Sequence, residues 1–373
     1  MKLKYGLLVC FFLVNVIAEA QEVNLFIGTY TGTGSKGIYV YKFNTQTGKA
    51  TWVSNTDSMV NPSFLTVSSN GKFLYSVSES GGNFPGKINA FSFDKKTGLL
   101  KFINEQTSGG DNPCYVSVTK NGQWVAVGNY TGGNLSMFKT KANGALMPAA
   151  QFIQHEGIGP NKTRQEKAHV HSTIFSPDEK FLFVPDLGMD KVMTYKFKAT
   201  SDIPLEPAAP EFTATAPGTG PRHLVFHPKK PFAYLVEEMA GQVEVFQYSK
   251  GILTPIQQAP THPERFKGQP GSADIHISPD GKFLYASNRG EENNIAIFVI
   301  NEATGMLEPK GFQSTLGTTP RNFCIDPTGN FLLAANQGSG NIVIFKRDQE
   351  TGMLTPTGDE IKIPKPVCLI MKQ

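Results

Sequence analysis

An all-β fold, a seven-bladed β-propeller closed on itself, is predicted by three features of the 373-residue chain. A strand–turn–strand phrase recurs, its period stays near 50 residues, and incomplete units at the two ends complement each other. The clearest copy of the phrase runs from Ser272 to Arg289: an apolar alternation, the turn Pro279-Asp280-Gly281, then Phe283-Leu284-Tyr285 and a second strand. Weaker copies begin at Pro62, Pro113, Val170, Pro221 and Pro320. Four antiparallel strands fit a period of this length, and most helical repeats are shorter.

The elements follow in order within each unit. The first strand alternates apolar and polar residues and enters a turn such as Asn70-Gly71, Asn121-Gly122 or Pro177-Asp178, which the second strand leaves. A further turn, Thr-Gly-x-Leu, marks the hairpin from the third strand to the outer one at Thr97-Gly98, Thr304-Gly305 and Thr351-Gly352, with Asn143-Gly144 in the same role. Six full units leave Leu25–Phe43, which reads as the second half of a unit, and Pro366–Met371, which reads as its missing first strand. Joined in one blade they close the ring and leave no open edge. Residues 21–373 therefore form one domain.

Residues 1–20 read as a signal peptide. Lys2 and Lys4 precede an apolar run from Gly6 to Ile17, too short to span a bilayer, and Ala18-Glu19-Ala20 is a cleavage site. Cys10 lies too early for lipidation and follows a bulky Val9. The expected mature protein is exported, periplasmic or secreted, with no membrane attachment after cleavage. It keeps Cys114, Cys324 and Cys368, an odd set without short spacings, read as buried free thiols. The net charge is only +4 and no Lys/Arg run occurs, which argues against a nucleic-acid partner.

Repeats align the chain against itself. First-strand starts and second-strand ends lie at one end of every blade, and first strands are the inner ones, so these positions crowd a central mouth. The starts give Ser63, Cys114, His171, Arg222, Ala273, Arg321 and Val367, each followed by one further column position. The second-strand ends include Asn129, Asp186, Glu237, Asn288 and Asn336, followed by Glu79, Tyr130, Leu187, Glu238, Arg289 and Gln337. His171, Asp186, Arg222, His223, Glu237, Glu238, Asp274, Arg289 and Arg321 fall in units three to six. A structural position in a repeat is uniform; these are not, so they read as a site on a rigid scaffold. The recurring Asn129, Asn288 and Asn336 read as structural, His227 and His262 receive no role, and His276 reads as an inward-pointing, buried hydrogen-bonding group in mid-strand.

The same residues carry a resemblance. Ala168-His169-Val170-His171-Ser172, Pro185-Asp186-Leu187-Gly188, the stretch Gly220 to Pro228, the stretch Ser272 to Gly290, Pro320-Arg321-Asn322-Phe323 and Gly28-Thr29-Tyr30-Thr31 together resemble the lactonase family of seven-bladed propellers. That family includes the propeller-type 6-phosphogluconolactonases and the fungal carboxy-cis,cis-muconate lactonizing enzyme. The resemblance implies a site without metal or other cofactor, built from His171, Arg222, Glu238 and Arg289, and a small-molecule lactone as partner of a monomer. The family's Arg-Gln pair is present as Arg164-Gln165. The family's Asn-Glu is here Glu237-Glu238, and the extra carboxylate is expected to add negative charge to the pocket.

The chemistry fits these groups. Lactone hydrolysis needs a base to activate water and a cationic donor where the carbonyl oxygen becomes negative. His171 is expected as base with Glu238 as alternative or orienting partner, and Arg222 and Arg289 as anion and oxyanion ligands. Arg321, His223, Glu237, Arg164 and Asp186 are expected to contact substrate. The expected activity is hydrolysis of a small anionic sugar lactone, 6-phosphogluconolactonase-like; a lactonizing cycloisomerase and a non-catalytic propeller binding a carbohydrate or protein are the alternatives. No G-x-S-x-G elbow precedes a helix, which argues against a serine esterase.

Overall fold

The aromatic residue after each inner turn and the glycine of each outer hairpin are two halves of one contact. Gly144 and Gly352 hold positive φ (83° and 74°), and a Cβ there would strike the rings of Phe73 and Phe283 of the preceding blade. Two residues beyond each Phe, the Tyr75 and Tyr285 hydroxyls donate to the carbonyls of those same glycines, at 3.2 and 2.8 Å. The repeated words in the sequence are thus inter-blade locks.

The structure, a computed structural model, describes residues 22–32 and 34–372. The expected signal peptide and its cleavage after Ala20 lie outside the described residues. The strands pair into seven four-stranded antiparallel sheets in a ring. In the closing blade Pro366–Lys372 is the inner strand and pairs with Glu22–Thr29, with Ile27 opposite Leu369 and Leu25 opposite Met371. Tyr39–Asn44 and Ala50–Asn55 complete it, so the N-terminal segment supplies three strands, more than the half unit read from Leu25–Phe43. The other blades are numbered one to six in chain order.

The core is divided. Seven buried apolar clusters each span two neighbouring blades, as where Val23, Leu25 and Ile27 of the closing blade meet Leu333 and Ile344 of blade six. Middle strands such as Phe232–Glu237 and Phe331–Asn336 are buried along their whole length because both faces meet a neighbouring sheet. Cys114, Cys324 and Cys368 are free and buried.

Candidate functional site

The inner strands break their ladders at the mouth. Pairing skips one residue between Pro113 and Tyr115, between Pro221 and His223, and between Pro320 and Asn322, leaving Cys114, Arg222 and Arg321 as bulge residues. In blade five the skip spans Ala273 and Asp274. A bulge adds one unpaired residue and re-aims its side chain. Here it turns them to the axis, where Cys114, His171, Arg222 and Arg321 line a narrow throat beneath a mouth cavity of about 400 Å³.

Glu238 is the centre of the charges. Its Oε1 accepts from Arg164 Nη2 at 2.7 Å; its Oε2 accepts from Arg222 Nε at 3.0 Å and lies 3.1 Å from Arg289 Nη2. His171 Nε2 stands 4.0 Å from the same Oε2. Burial alone would raise the Glu238 pKa, but Arg289, Arg222 and Arg164 outweigh it and hold the carboxyl well below its usual range. His171 is buried, and burial together with Arg222, His223 and Arg321 pushes its pKa well down, so its imidazole is neutral at pH 7. Its ring meets Tyr130 and His223 edge to face, at 5.4 and 5.3 Å. Burial and the neighbouring Arg289 and Arg321 lower Arg222 to about 10, still protonated.

Arg164 arrives from the long connection between blades two and three. Asn161 Oδ1 accepts from the amides of Thr163 and Arg164, and Gln165 Nε2 donates to Leu187 O and to Asp190 Oδ1 at 2.8 and 2.7 Å. The segment is seated on Gly188, where a Cβ would lie 1.9 Å from Lys167 O. That close approach gives the Pro185-Asp186-Leu187-Gly188 motif its glycine.

The opposite wall was not read from the sequence. Glu79 accepts from the hydroxyls of Tyr30, at 2.9 Å, and Ser63, and the Arg321 guanidinium lies 5.5 Å from the Tyr30 ring centre. Glu79 stood in the same repeat column as Glu238 and Arg289, but in blade one, outside the cluster of charged units. Arg321 forms no salt bridge or hydrogen bond with any described residue, so its donors face the cavity. Three guanidinium groups (Arg164, Arg289, Arg321) against two carboxylates (Glu79, Glu238) leave the mouth lining with one net positive charge, above Arg222 in the throat.

Three expectations are corrected. Asp186 does not face the mouth: it is fully buried, accepting from His169 N and Gly188 N and pairing with His155 Nδ1 at 2.7 Å. Glu237 turns away too: it is the last residue of the strand Phe232–Glu237, and the turn that begins at Glu238 aims only the second carboxylate at the mouth. It lies buried in the sheet near Glu244, accepts from Gln242 Nε2, and its pKa is pushed up to about 7, chiefly by burial. The extra carboxylate therefore adds no charge to the pocket. Both residues occupy the column of Asn129, Asn288 and Asn336, whose amides bind backbone carbonyls. His223 lies deeper than the mouth, in the throat floor, bonded to Asp274. Of the other expected site residues, His171, Glu238, Arg289, Arg321 and Arg164 line the mouth and Arg222 lines the throat.

Among the described residues no three His, Cys, Asp or Glu side chains converge as a metal site. A larger groove of about 820 Å³ opens between the closing blade and blade one, but its ionisable groups are Asp57, Lys87 and Glu105, without His or Arg. The smaller cavity is the one with a neutral base and surplus cationic donors.

Comparison with known proteins gives one answer. Residues 24–371 match the family model described as "Lactonase, 7-bladed beta-propeller". A 6-phosphogluconolactonase of Formosa agariphila is 42% identical over 91% of this chain and 96% of the relative. The 6-phosphogluconolactonase of Bacillus subtilis strain 168 is 37% identical over 92% of this chain and 97% of its own length. Among solved structures, a periplasmic gluconolactonase of Pseudomonas aeruginosa superposes with a TM-score of 0.89 at 35% identity, covering 94% of this chain and 99% of that one.

Proposed function

This chain belongs to the lactonase family of seven-bladed β-propellers, and on that premise we propose that it hydrolyses a small anionic sugar lactone at the axial mouth, as a 6-phosphogluconolactonase-like enzyme. The observation that carries the reading is a neutral, buried His171 beside a guanidinium cluster with a net positive charge, in which Arg321 has no ion-pair or hydrogen-bond partner among the described residues.

His171 takes a proton from water as the water oxygen bonds to the lactone carbonyl carbon. The negative charge that develops on the carbonyl oxygen is met by a guanidinium donor, and losing one such donor costs about 3 kcal/mol of transition-state stabilisation. The ring C–O bond then breaks, His171 returns the proton to the leaving alkoxide, and the new carboxylic acid ionises to solvent. Glu238 is a poor base because three Arg side chains favour its charged form; it orients Arg222 and Arg289. Arg222 is committed to Glu238 and to the carbonyl of Ala273 in the throat, which leaves Arg321 and the remaining Nη1 of Arg289, whose Nε and Nη2 bind Gly271 O, Ser272 O and Glu238, to hold the oxyanion and the substrate's own anionic group. In this reading the protein acts outside the cytoplasm. The basic–apolar–small pattern of residues 1–20 and the periplasmic P. aeruginosa relative support export.

The test is proton release in a pH-stat by the purified protein against phosphorylated and unphosphorylated sugar lactones, with Arg321→Ala beside it. A charge-assisted bond contributes about 1.5–3 kcal/mol, so the variant should bind an anionic lactone roughly 10–150-fold more weakly and a neutral one nearly as well. No proton release above the blank for any lactone would refute the assignment.

A further inference from the structure

Below the throat the axial channel is closed by His223 and Asn322, which also line a second cavity, of about 200 Å³, on the far side. Between the two lies Asp274, almost wholly buried. Its Oδ1 accepts from His223 Nδ1 at 2.8 Å. Its Oδ2 accepts from His276 Nε2 at 2.9 Å, Asn322 Nδ2 at 2.5 Å and the Phe323 amide at 3.3 Å. An ionised carboxylate only accepts, so His223 carries its proton on Nδ1. Burial and Arg222 lower His223 to about 4, so the ring is neutral and its Nε2 is bare; Arg222 Nη1 lies against the ring, 3.3 Å from Nε2 and 3.5 Å from Nδ1. The same Nη1 binds Ala273 O, the carbonyl just before Asp274.

We infer that Asp274 is a positioning residue of the lactone site: through His223, and through the neighbouring Ala273 carbonyl, it sets the plane of the Arg222 guanidinium that holds Glu238 beside His171. A tie needed only to hold blades together would recur around the ring. The corresponding positions are Phe64, Tyr115, Ser172 and Cys368 in the other blades, and the polar set His223, Asp274, Asn322 occurs only in blades four to six. Those are the blades that supply Arg222, Glu238, Arg289 and Arg321. Asp274 touches no part of the mouth cavity, so its effect reaches the reaction only through these contacts.

The charge around this chain gives a readout that packing does not. Asp274 is faced by His223 and Arg222 from blade four, His276 from its own strand, and Tyr115, Cys324 and Cys368 from other inner strands. His171 is faced by Arg222, His223, Arg321, Glu238, Cys114 and Tyr130. Asp274→Asn removes the carboxylate that offsets Arg222 from below, making the imidazolium of His171 harder to form. The acid limb of kcat/KM should therefore move to lower pH.

The inference rests on the lactonase reading, and the experiment separates the two. Asp274→Asn, His223→Asn, the double variant and His276→Gln are assayed for kcat, KM and pH profile on the lactone that wild type hydrolyses. Asp274→Asn and His223→Asn should each lower kcat about 10–100-fold, a loss typical of removing an orienting partner. The double variant should lose no more than about twofold beyond either single one. His276→Gln should match wild type. Multiplying losses in the double variant, or an unmoved acid limb in Asp274→Asn, would overturn the inference. If Asp274→Asn does not fold, ¹⁵N NMR of wild-type imidazoles decides, with or without turnover: a proton on Nδ1 of His223 is expected, and one on Nε2 overturns the inference. A wild type that hydrolyses no lactone refutes only the parent reading.

Discussion

Glu238→Gln is the sharpest perturbation of the site, because one carboxylate there answers three cations. Arg222, whose side chain is 2% exposed, would lose its paired carboxylate and keep only the more distant Asp274 as counter-charge, facing Arg289 and Arg321. Breaking a buried pair by removing one partner costs about 3–5 kcal/mol, and the retained amide oxygen places this change near 3. For a domain of roughly 350 residues the unfolding entropy is about 0.7 kcal/mol per kelvin, so Tm should fall by about 4 °C. The pH dependence has a definite sign. The folded pKa of Glu238 lies below the ordinary 4.5, so its contribution is complete above pH 4.5 and lost as pH falls toward the folded value. Calorimetry of both proteins from pH 8 to pH 3 should show a constant gap in stability that begins to close below pH 4.5. An equal Tm at pH 8, or a gap that widens on acidification, would refute the view that Glu238 is the counter-charge of the mouth.

His171→Ala should lower kcat by about 10²–10⁴ while unfolding stays cooperative, and wild-type kcat/KM should keep its acid limb below pH 6.5 because the folded imidazole resists protonation. Equal turnover in the variant would remove His171 as base. Glu237→Asn restores the residue that three other blades carry. Its carboxyl is raised from 4.5 to about 7 in the fold, so wild-type stability should fall by about 3 kcal/mol as pH rises through that window. The variant should gain about 1–3 kcal/mol in denaturant melts at pH 8, little at pH 4, and keep its kcat; a loss of stability at pH 8 would show that the charged form is favoured. Truncation after Lys365 removes the inner strand of the closing blade with buried Val367, Cys368 and Leu369. At about 1.5–3 kcal/mol per buried apolar side chain the loss is comparable to a whole domain's stability, so the product should be aggregated or unfolded; an unchanged Tm would count against ring closure.

The sequence by itself determined the ring. A repeat of strand and turn words is local information, and a half unit at each end can be satisfied only by closure, so Pro366–Met371 could be paired with the N-terminal strand from the pattern alone. It also determined which end of each blade carries the chemistry, because non-uniform columns in a repeat are visible without coordinates. Side-chain direction was decided only in three dimensions. Glu237 and Glu238 are neighbours in sequence, yet the strand ends between them, and one lies in the sheet while the other, opening the turn, faces the mouth. Asp186 shares the structural column and is consumed by His155 and two backbone amides. Arg222 and Arg321 reach the axis because bulges break the ladder there, and a bulge leaves no mark in the hydrophobic pattern. Glu79 and Tyr30 are far from the charged units along the chain and meet Arg321 only because ring closure seats the closing blade, and blade one beyond it, beside blade six. Position along a repeat is a one-dimensional property; which donors remain unpaired, and so available to a substrate, depends on every neighbour that closes around them.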